Sequence, residues 1–258
     1  MEDASKLDGW IALTRELAEA SGKLILKHYG TALNVESKAD QTPVTIADQG
    51  AEKLLRRMIT EKHPDHQVIG EEEGLSGPPD AEYQWVLDPI DGTKAFIHRV
   101  PLFGTLIALL RRGEPILGAI NLCALGELMI GAEGRPTTVN GKAVRVSKTD
   151  KLDKATVLYT DSKGWWQQKQ GEGFLRVQDK AFLVRGWGDC FGHFQVAAGR
   201  ADGMFDPVLK LWDIAALKPC VEGAGGTLTD THGRGGLGES ALSTNGHIHQ
   251  ALLEAIRG

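Results

Sequence analysis

The chain has 258 residues, a net charge of −5 and an isoelectric point near 5.9. That length can bury a substantial core, as one large domain or two intimate subdomains. The acidic balance offers no basic field to nucleic acid or an anionic membrane, so any phosphate must be met by local groups. The charged opening Met1–Lys6 lacks an apolar signal core, and the apolar run Phe103–Leu110 is too short to span a bilayer. A cytoplasmic protein is therefore expected. Cys123, Cys190 and Cys220 are odd in number and widely spaced, which suits buried thiols rather than a disulfide framework or a zinc site.

In chain order, Ile11, Leu17, Leu24 and Ile25 predict an amphipathic helix from about Leu7 to Tyr29, stopped by Gly30. The polar stretch Glu36–Pro43 reads as a loop or hairpin. Thr45 to Asp48 is a capping pattern, and Ala51, Leu54, Leu55 and Met58 carry a second helix to Lys62, where His63-Pro64 ends it. Gln67–Gly70 is a short strand candidate leading into Glu71-Glu72-Glu73. Strands are expected over Tyr83–Leu87, Leu102–Leu110, Pro115–Leu122 and Glu127–Gly131, with a tight hairpin at Val139–Lys142. The first half is thus helices with a mainly antiparallel sheet.

From Ala155 onward strands alternate with helices: strand Ala155–Tyr159, helix Lys163–Gln170, strand Phe182–Val184, helix Cys190–Ala198, strand Met204-Phe205, helix Trp212–Ala224 and strand Thr227-Leu228. Such alternation predicts a parallel or mixed sheet with helices on its faces. The fold class is α/β (α+β), a layered sandwich. The expected subdomains are 1–146, with the antiparallel sheet and most metal ligands, and 147–258, with the substrate-side residues, in one compact catalytic unit.

The chemistry centres on Trp85–Lys94, where an apolar run meets Asp88-Pro89-Ile90-Asp91-Gly92-Thr93. Pro89 cannot donate to a ladder, so the strand is expected to stop and leave Asp88 at its end. A bend there would aim Asp88, Asp91 and the Ile90 carbonyl at one point, a hard-oxygen set suited to Mg2+. Gly92 permits close backbone approach, and free amides from Thr93 could face a phosphate oxygen. The competing reading is an ordinary turn, since Asp, Pro and Gly are common turn formers. Glu71–Glu73 could likewise be a solvated acidic loop, and Asp213 a partner of a helix dipole.

Taken together, Gly70-Glu71-Glu72, Asp88–Thr93 and Trp212-Asp213 resemble, in order and spacing, the motifs of the inositol monophosphatase-like Mg2+-dependent phosphatases. The resemblance extends along almost the whole chain, including Val44–Asp48 and the late glycine-rich turn Gly223–Gly226. It implies the αβαβα sandwich of the inositol monophosphatase and fructose-1,6-bisphosphatase type. It implies Glu71, Asp88, the Ile90 carbonyl, Asp91 and Asp213 as ligands of two or three Mg2+ ions, with Glu72 and Glu73 as runners-up to Glu71. Glu71, Asp48 and Thr93 are implied as the groups that activate and orient an attacking water, Gly92 and Thr93 as phosphate binders, and Lys38 as part of a third-metal region.

Within that family, Lys94 resembles both the histidinol-phosphate and the 3′-nucleotide branches, Pro101–Leu109, Trp187–Gly192, Gly199–Asp202 and Thr244–His247 resemble the histidinol-phosphate phosphatases of histidine biosynthesis, and Phe96–Pro101 is closer to the inositol monophosphatase pattern. Histidinol phosphate carries an ammonium, which a carboxylate can pair through charge-assisted bonds. Asp189 and Asp206 are the candidates, although Asp189 could cap a helix and Asp206-Pro207 could end a strand. The expected function is hydrolysis of a small phosphorylated metabolite, most readily histidinol phosphate, by in-line attack of a metal-activated water, in a homodimer. The alternatives are an inositol-1-monophosphatase or a 3′-phosphoadenosine 5′-phosphate phosphatase. A phosphometabolite-binding regulatory protein is the non-enzyme alternative, disfavoured by the intact set of acids.

Overall fold

The computed structural model describes residues 4–31, 35–37 and 43–258. Helix α1 (Ala4–His28) buries Leu7, Leu13, Leu17 and Ile25 along one side. A small antiparallel hairpin of β1 (Val35–Ser37) and β2 (Pro43–Thr45) leads into α2 (Ile46–Lys62). The expected capping box is present: Ala47 N–H donates to the Thr45 hydroxyl, and the Asp48 carboxylate accepts the Thr45 N–H. Strands β3 (Gln67–Gly70), β4 (Gly74–Ser76) and β5 (Tyr83–Asp91) precede the short helix α3 (Thr93–Ile97). They continue as β6 (Gly104–Arg111), β7 (Glu114–Leu122), β8 (Glu127–Ala132), β9 (Thr138–Val139) and β10 (Lys142–Ala143). These eight strands form one sheet, ordered β10-β9-β8-β7-β6-β5-β3-β4. Every pairing in it is antiparallel except β3 with β5.

The chain continues through β11 (Thr156–Tyr159), α4 (Ser162–Gln167), α5 (Gly171–Lys180), β12 (Leu183–Arg185), α6 (Asp189–Ala197) and β13 (Gly203–Asp206). It closes with α7 (Leu211–Ile214), α8 (Leu217–Gly223), β14 (Thr227–Thr229), β15 (Ala241–Thr244) and α9 (His249–Arg257). The second sheet is ordered β12-β11-β13-β15-β14 and is mixed: β11 runs parallel to β12 and β13, while β15 runs antiparallel to β13 and β14.

Three apolar clusters glue five layers. Trp10, Leu17, Leu55 and Ile59 of α1 and α2 pack on Trp85, Leu87, Ile107 and Leu109 of the large sheet. On its other face Val86, Leu106, Ala108 and Ile120 meet Phe194, Ile214, Leu217 and Val221 of α6, α7 and α8, with Leu228 and Ala241 of the second sheet. Beyond that sheet, Val157, Phe205 and Leu242 pack under Trp165, Phe174, Leu252 and Ile256. The result is the αβαβα order that the sequence implied. Among the described residues, no helix is long and apolar enough to cross a membrane.

Several boundaries differ from expectation for local reasons. The helix expected over 212–224 is two helices, because Pro219 has no N–H to donate back to the Ala215 carbonyl. The helix expected over 163–170 ends at Gln167; Lys169 turns the chain at φ 59°, and α5 follows. β15 and α9 are further elements not anticipated. The most consequential correction is at Pro89. β5 does not stop there but continues to Asp91 across a bulge, where Asp88 faces Leu106 and Asp91 faces Gly104. Two residues of β5, Pro89 and Ile90, thus stand opposite one of β6, Thr105. The extra residue lets a central strand carry a proline that lacks a ladder donor.

Candidate active site

The bulge explains how Asp88 and Asp91 come together. In a regular strand residues three apart face opposite sides, so these two carboxylates would diverge. With the irregularity between them, Asp88, Asp91 and Asp213 offer carboxylate oxygens that all lie within 4.8 Å of one another. β3 lies parallel to β5 with Gly70 beside Leu87, and Glu71 N–H donates to the Leu87 carbonyl at 3.2 Å. Glu71 therefore leaves β3 next to Asp88. Asp213 arrives from α7, where one oxygen caps the helix by accepting the Lys210 N–H at 2.7 Å. Capping and convergence on the other acids occur together in one side chain.

These groups line a cavity of about 140 Å³ formed by Glu71, Asp88, Ile90, Asp91, Gly92, Thr93, Lys94, Asp189 and Asp213. Lys94 is the only cationic residue in that lining, among the described residues. Burial pushes the Asp88 carboxyl well above the usual carboxylate range, and the charges of Glu71, Asp91, Asp213 and Asp48 push it further. Asp91 is raised by burial and then by Asp189 and Asp213. Burial also lifts Asp213 to about 6. One oxygen of Asp88, Oδ1, is buried with no hydrogen-bond partner among the described residues.

An orphaned buried carboxylate oxygen among mutually repelling acids is costly for a protein alone. A hard divalent cation removes both penalties, and an all-oxygen donor set selects Mg2+ over softer metals. The residues present fit that ion. The Ile90 carbonyl already accepts the Thr93 hydroxyl at 2.9 Å, but a carbonyl oxygen has a second lone pair to offer.

Gly92 sits in the left-handed region at φ 82° and begins α3. A Cβ there would stand 2.8 Å from the Leu102 carbonyl oxygen and 3.2 Å from the Phe103 Cα. Gly92→Ala should therefore destabilise the protein by at least about 1–2 kcal/mol, from the conformation alone. A thermal melt against the parent checks this.

Asp48 and Thr93, expected as partners, are each bonded within their own turn. Asp48 Oδ2 accepts the Thr45 N–H at 2.9 Å and the Thr45 hydroxyl at 2.5 Å. Asp48 is buried, and burial raises its carboxyl to about 6 despite those bonds, with Glu71 adding repulsion. The Thr93 hydroxyl hydrogen is committed to Ile90.

The two acids expected on the substrate side occupy different depths. Asp189 opens α6 at φ 54°, with Gly188 rather than its own side chain at the cap position. It does not cap the helix; it lines the cavity, where burial lifts its carboxyl to about 6 and Lys94 opposes the rise. Asp206 ends β13, buried, and accepts the Thr160 hydroxyl at 2.6 Å. The same Thr160 oxygen accepts the Asp189 N–H at 2.9 Å. Thr160, which no motif singles out, ties the two segments together. Cys190 N–H donates to Asp91 Oδ2 at 2.5 Å, so the start of α6 also fixes one acid of the cluster. Lys38 lies outside the described residues.

The family model described as the inositol monophosphatase family matches residues 6–257. The chain is 43% identical to the histidinol-phosphatase of Chlorobaculum parvum, over 95% of this chain and 96% of that one. It is 36% identical to the histidinol-phosphatase of Streptomyces coelicolor, over 94% and 95% of the two chains. Its fold superposes on an inositol monophosphatase from Zymomonas mobilis with a TM-score of 0.86 and 33% identity over the full length of both chains.

Proposed function

The chain belongs to the inositol monophosphatase family, and on that footing we propose that it is a Mg2+-dependent phosphatase of histidinol phosphate, acting in histidine biosynthesis. The observation that carries this reading is the cavity itself. Three carboxylates converge there around an unpartnered Asp88 oxygen, and Asp189 stands at the same cavity as an acid that a substrate ammonium can meet.

Glu71, Asp88, the Ile90 carbonyl, Asp91 and Asp213 would hold the Mg2+, as two or three ions. When bound, the metal neutralises phosphoryl oxygens, lowers the pKa of water and supports the departing alkoxide. Glu71 accepts a proton from the attacking water. Thr93, its hydroxyl hydrogen already given to Ile90, keeps lone pairs to accept the other water hydrogen, and Asp48 acts beside it rather than through a shared hydrogen bond. Water oxygen bonds to phosphorus in line as the ester oxygen leaves. The Gly92 and Thr93 amides hold phosphate oxygens, and Asp189 with Asp206 behind it receives the amino-alcohol.

The test is phosphate release from histidinol phosphate, inositol 1-phosphate, fructose 1,6-bisphosphate and adenosine 3′,5′-bisphosphate, with Mg2+ and with a chelator. Histidinol phosphate should be turned over fastest, and only with Mg2+. Preference for another ester would replace the substrate, and no Mg2+-dependent release would remove the enzyme reading. Asp189→Asn should raise KM for histidinol phosphate by about 10- to 100-fold, the worth of a lost charge-assisted bond. Its KM for inositol 1-phosphate should stay within about twofold, because that substrate has no ammonium; equal losses on both would defeat the role. The proposal includes a homodimer, to be measured by light scattering, and a cytoplasmic location, to be checked by fractionation. It also places the subdomain boundary between 146 and 147, supported by the gap between the last large-sheet strand at Ala143 and the first small-sheet strand at Thr156.

A further inference from the structure

We propose that Glu52 and Arg56 are positioning residues that aim Glu71 into the metal cavity by clamping the hairpin that follows it. This rests on the reading of Glu71 as a metal ligand. Both residues lie on α2 at four-residue steps from Asp48, so Asp48, Glu52 and Arg56 share one helix face. That face is buried, although its residues are charged.

The Glu52 side chain is fully buried, and its hydrogen bonds go to the hairpin. Oε2 accepts the Glu72 N–H at 2.8 Å, and Oε1 accepts the Glu73 N–H at 3.0 Å. Oε1 also accepts Arg56 Nε–H at 2.8 Å. The carboxylate thus holds the two amides that immediately follow Glu71. Gly70, immediately before Glu71, lies directly over the same carboxylate: a Cβ there would stand 2.3 Å from Oε1 and 2.6 Å from Oε2. Glycine at position 70 is the condition for this contact.

Arg56 completes the clamp from below. Its Nη1 donates to the Ser76 hydroxyl at 2.8 Å and to the Val68 carbonyl at 3.3 Å, while Nη2 donates to the Gly74 carbonyl. The guanidinium therefore spans β3 and β4, and the carboxylate fastens the turn between them. On the other side, Glu71 N–H is tied to Leu87 beside Asp88. Glu71 has its backbone fixed before, at and after its own position. Since α2 also carries Asp48, one rigid helix sets where Asp48 and Glu71 stand relative to each other.

A buried ion pair is weak evidence of a stabilising role, because desolvation offsets its attraction. Here its hydrogen bonds are spent on the backbone of a ligand-bearing turn. Groups that orient metal ligands in this way are typically worth about 10- to 100-fold in metal affinity.

The experiment compares Glu52→Gln, Arg56→Lys and Glu71→Gln with the parent. Mn2+ binding to chelator-treated protein is measured by calorimetry, and exchange of the 71–76 amides by mass spectrometry. Glu52→Gln should weaken Mn2+ binding by about 10- to 100-fold and speed exchange in that turn, with helicity retained. Arg56→Lys keeps the charge but loses the fork across β3 and β4, and should shift both readouts the same way. If Glu52→Gln fails to fold, Arg56→Lys decides alone. Should Glu71→Gln weaken binding while the clamp variants leave affinity and exchange unchanged, the clamp is overturned. Should Glu71→Gln itself leave affinity unchanged, it is the ligand assignment that fails.

Discussion

Asp88→Asn should cut turnover severely while making the metal-free protein more stable. Asp88 stands in the acid cluster, its carboxyl is raised by burial and then by four neighbouring carboxylates, and Oδ1 has no partner among the described residues. Asparagine has nearly the same shape but no charge, so it relieves repulsion without opening a cavity. Relief of one buried, uncompensated charge is worth about 1–3 kcal/mol, and each kcal/mol is about 2–4 °C in a chain of this size. The melting temperature in chelator should therefore rise by several degrees. In Mg2+ the order should reverse, because the parent gains metal that the variant cannot hold. Activity should fall by on the order of 10³-fold, as for other groups that stabilise developing charge. A variant that is less stable than the parent in chelator would show that Asp88 is a structural acid.

The second large effect is the pH dependence of the metal-free protein. Asp48, Asp189 and Asp213 are each raised to about 6, and Asp88 and Asp91 are raised further by burial and neighbouring charge. A carboxyl whose folded pKa is raised binds its proton more tightly in the native state. Its stabilising contribution is complete below the unfolded value near 4 and is lost as pH rises through the folded value near 6. Stability in chelator should thus fall from pH 5 to pH 8. A shift of about two units is worth roughly 3 kcal/mol for one group. The acids titrate as an interacting set, so their shifts do not add independently. About half of one group's worth, roughly 1.4 kcal/mol, is lost between pH 5 and pH 8, a drop of about 3–6 °C. Mg2+ should remove most of this slope, giving a larger metal-induced shift in melting temperature at pH 8 than at pH 5. A shift independent of pH would contradict the charge cluster as the metal's anchor.

Much of this site is legible in the chain because its signals are local. The Thr45–Asp48 cap, the Asp88–Thr93 motif and the Glu71 segment each announce themselves within a few residues, and the structure gathers Glu71, Asp88, Asp91 and Asp213 at one cavity. What escaped depends on partners far away in sequence. Glu52 and Arg56 look like ordinary polar positions of an amphipathic helix until the hairpin at 70–76 folds over them. Their one sequence trace is the spacing of Asp48, Glu52 and Arg56 beside the apolar positions Ala51, Leu55 and Ile59, which makes a buried charged stripe adjoin a buried apolar one. Thr160 left no trace at all, since its role is to join the backbone of Asp189 to Asp206. The continuation of β5 past Pro89 was missed because strand register belongs to a pair of strands, not to either sequence.

That irregularity at Pro89 makes the site a matter of counting as much as of chemistry. Two acids on the same face of a regular strand have backbones roughly 6.6 Å apart, two residues at about 3.3 Å each. Here an odd interval of three residues is folded into an even one, and the carboxylate oxygens come within 4.8 Å while the intervening Ile90 carbonyl also lines the cavity. Removing one residue between Asp88 and Asp91 would keep both acids and the sheet, yet straighten the crease on which their convergence depends. Proline at 89 guards against that loss, because a ring without an N–H cannot rejoin an uninterrupted ladder.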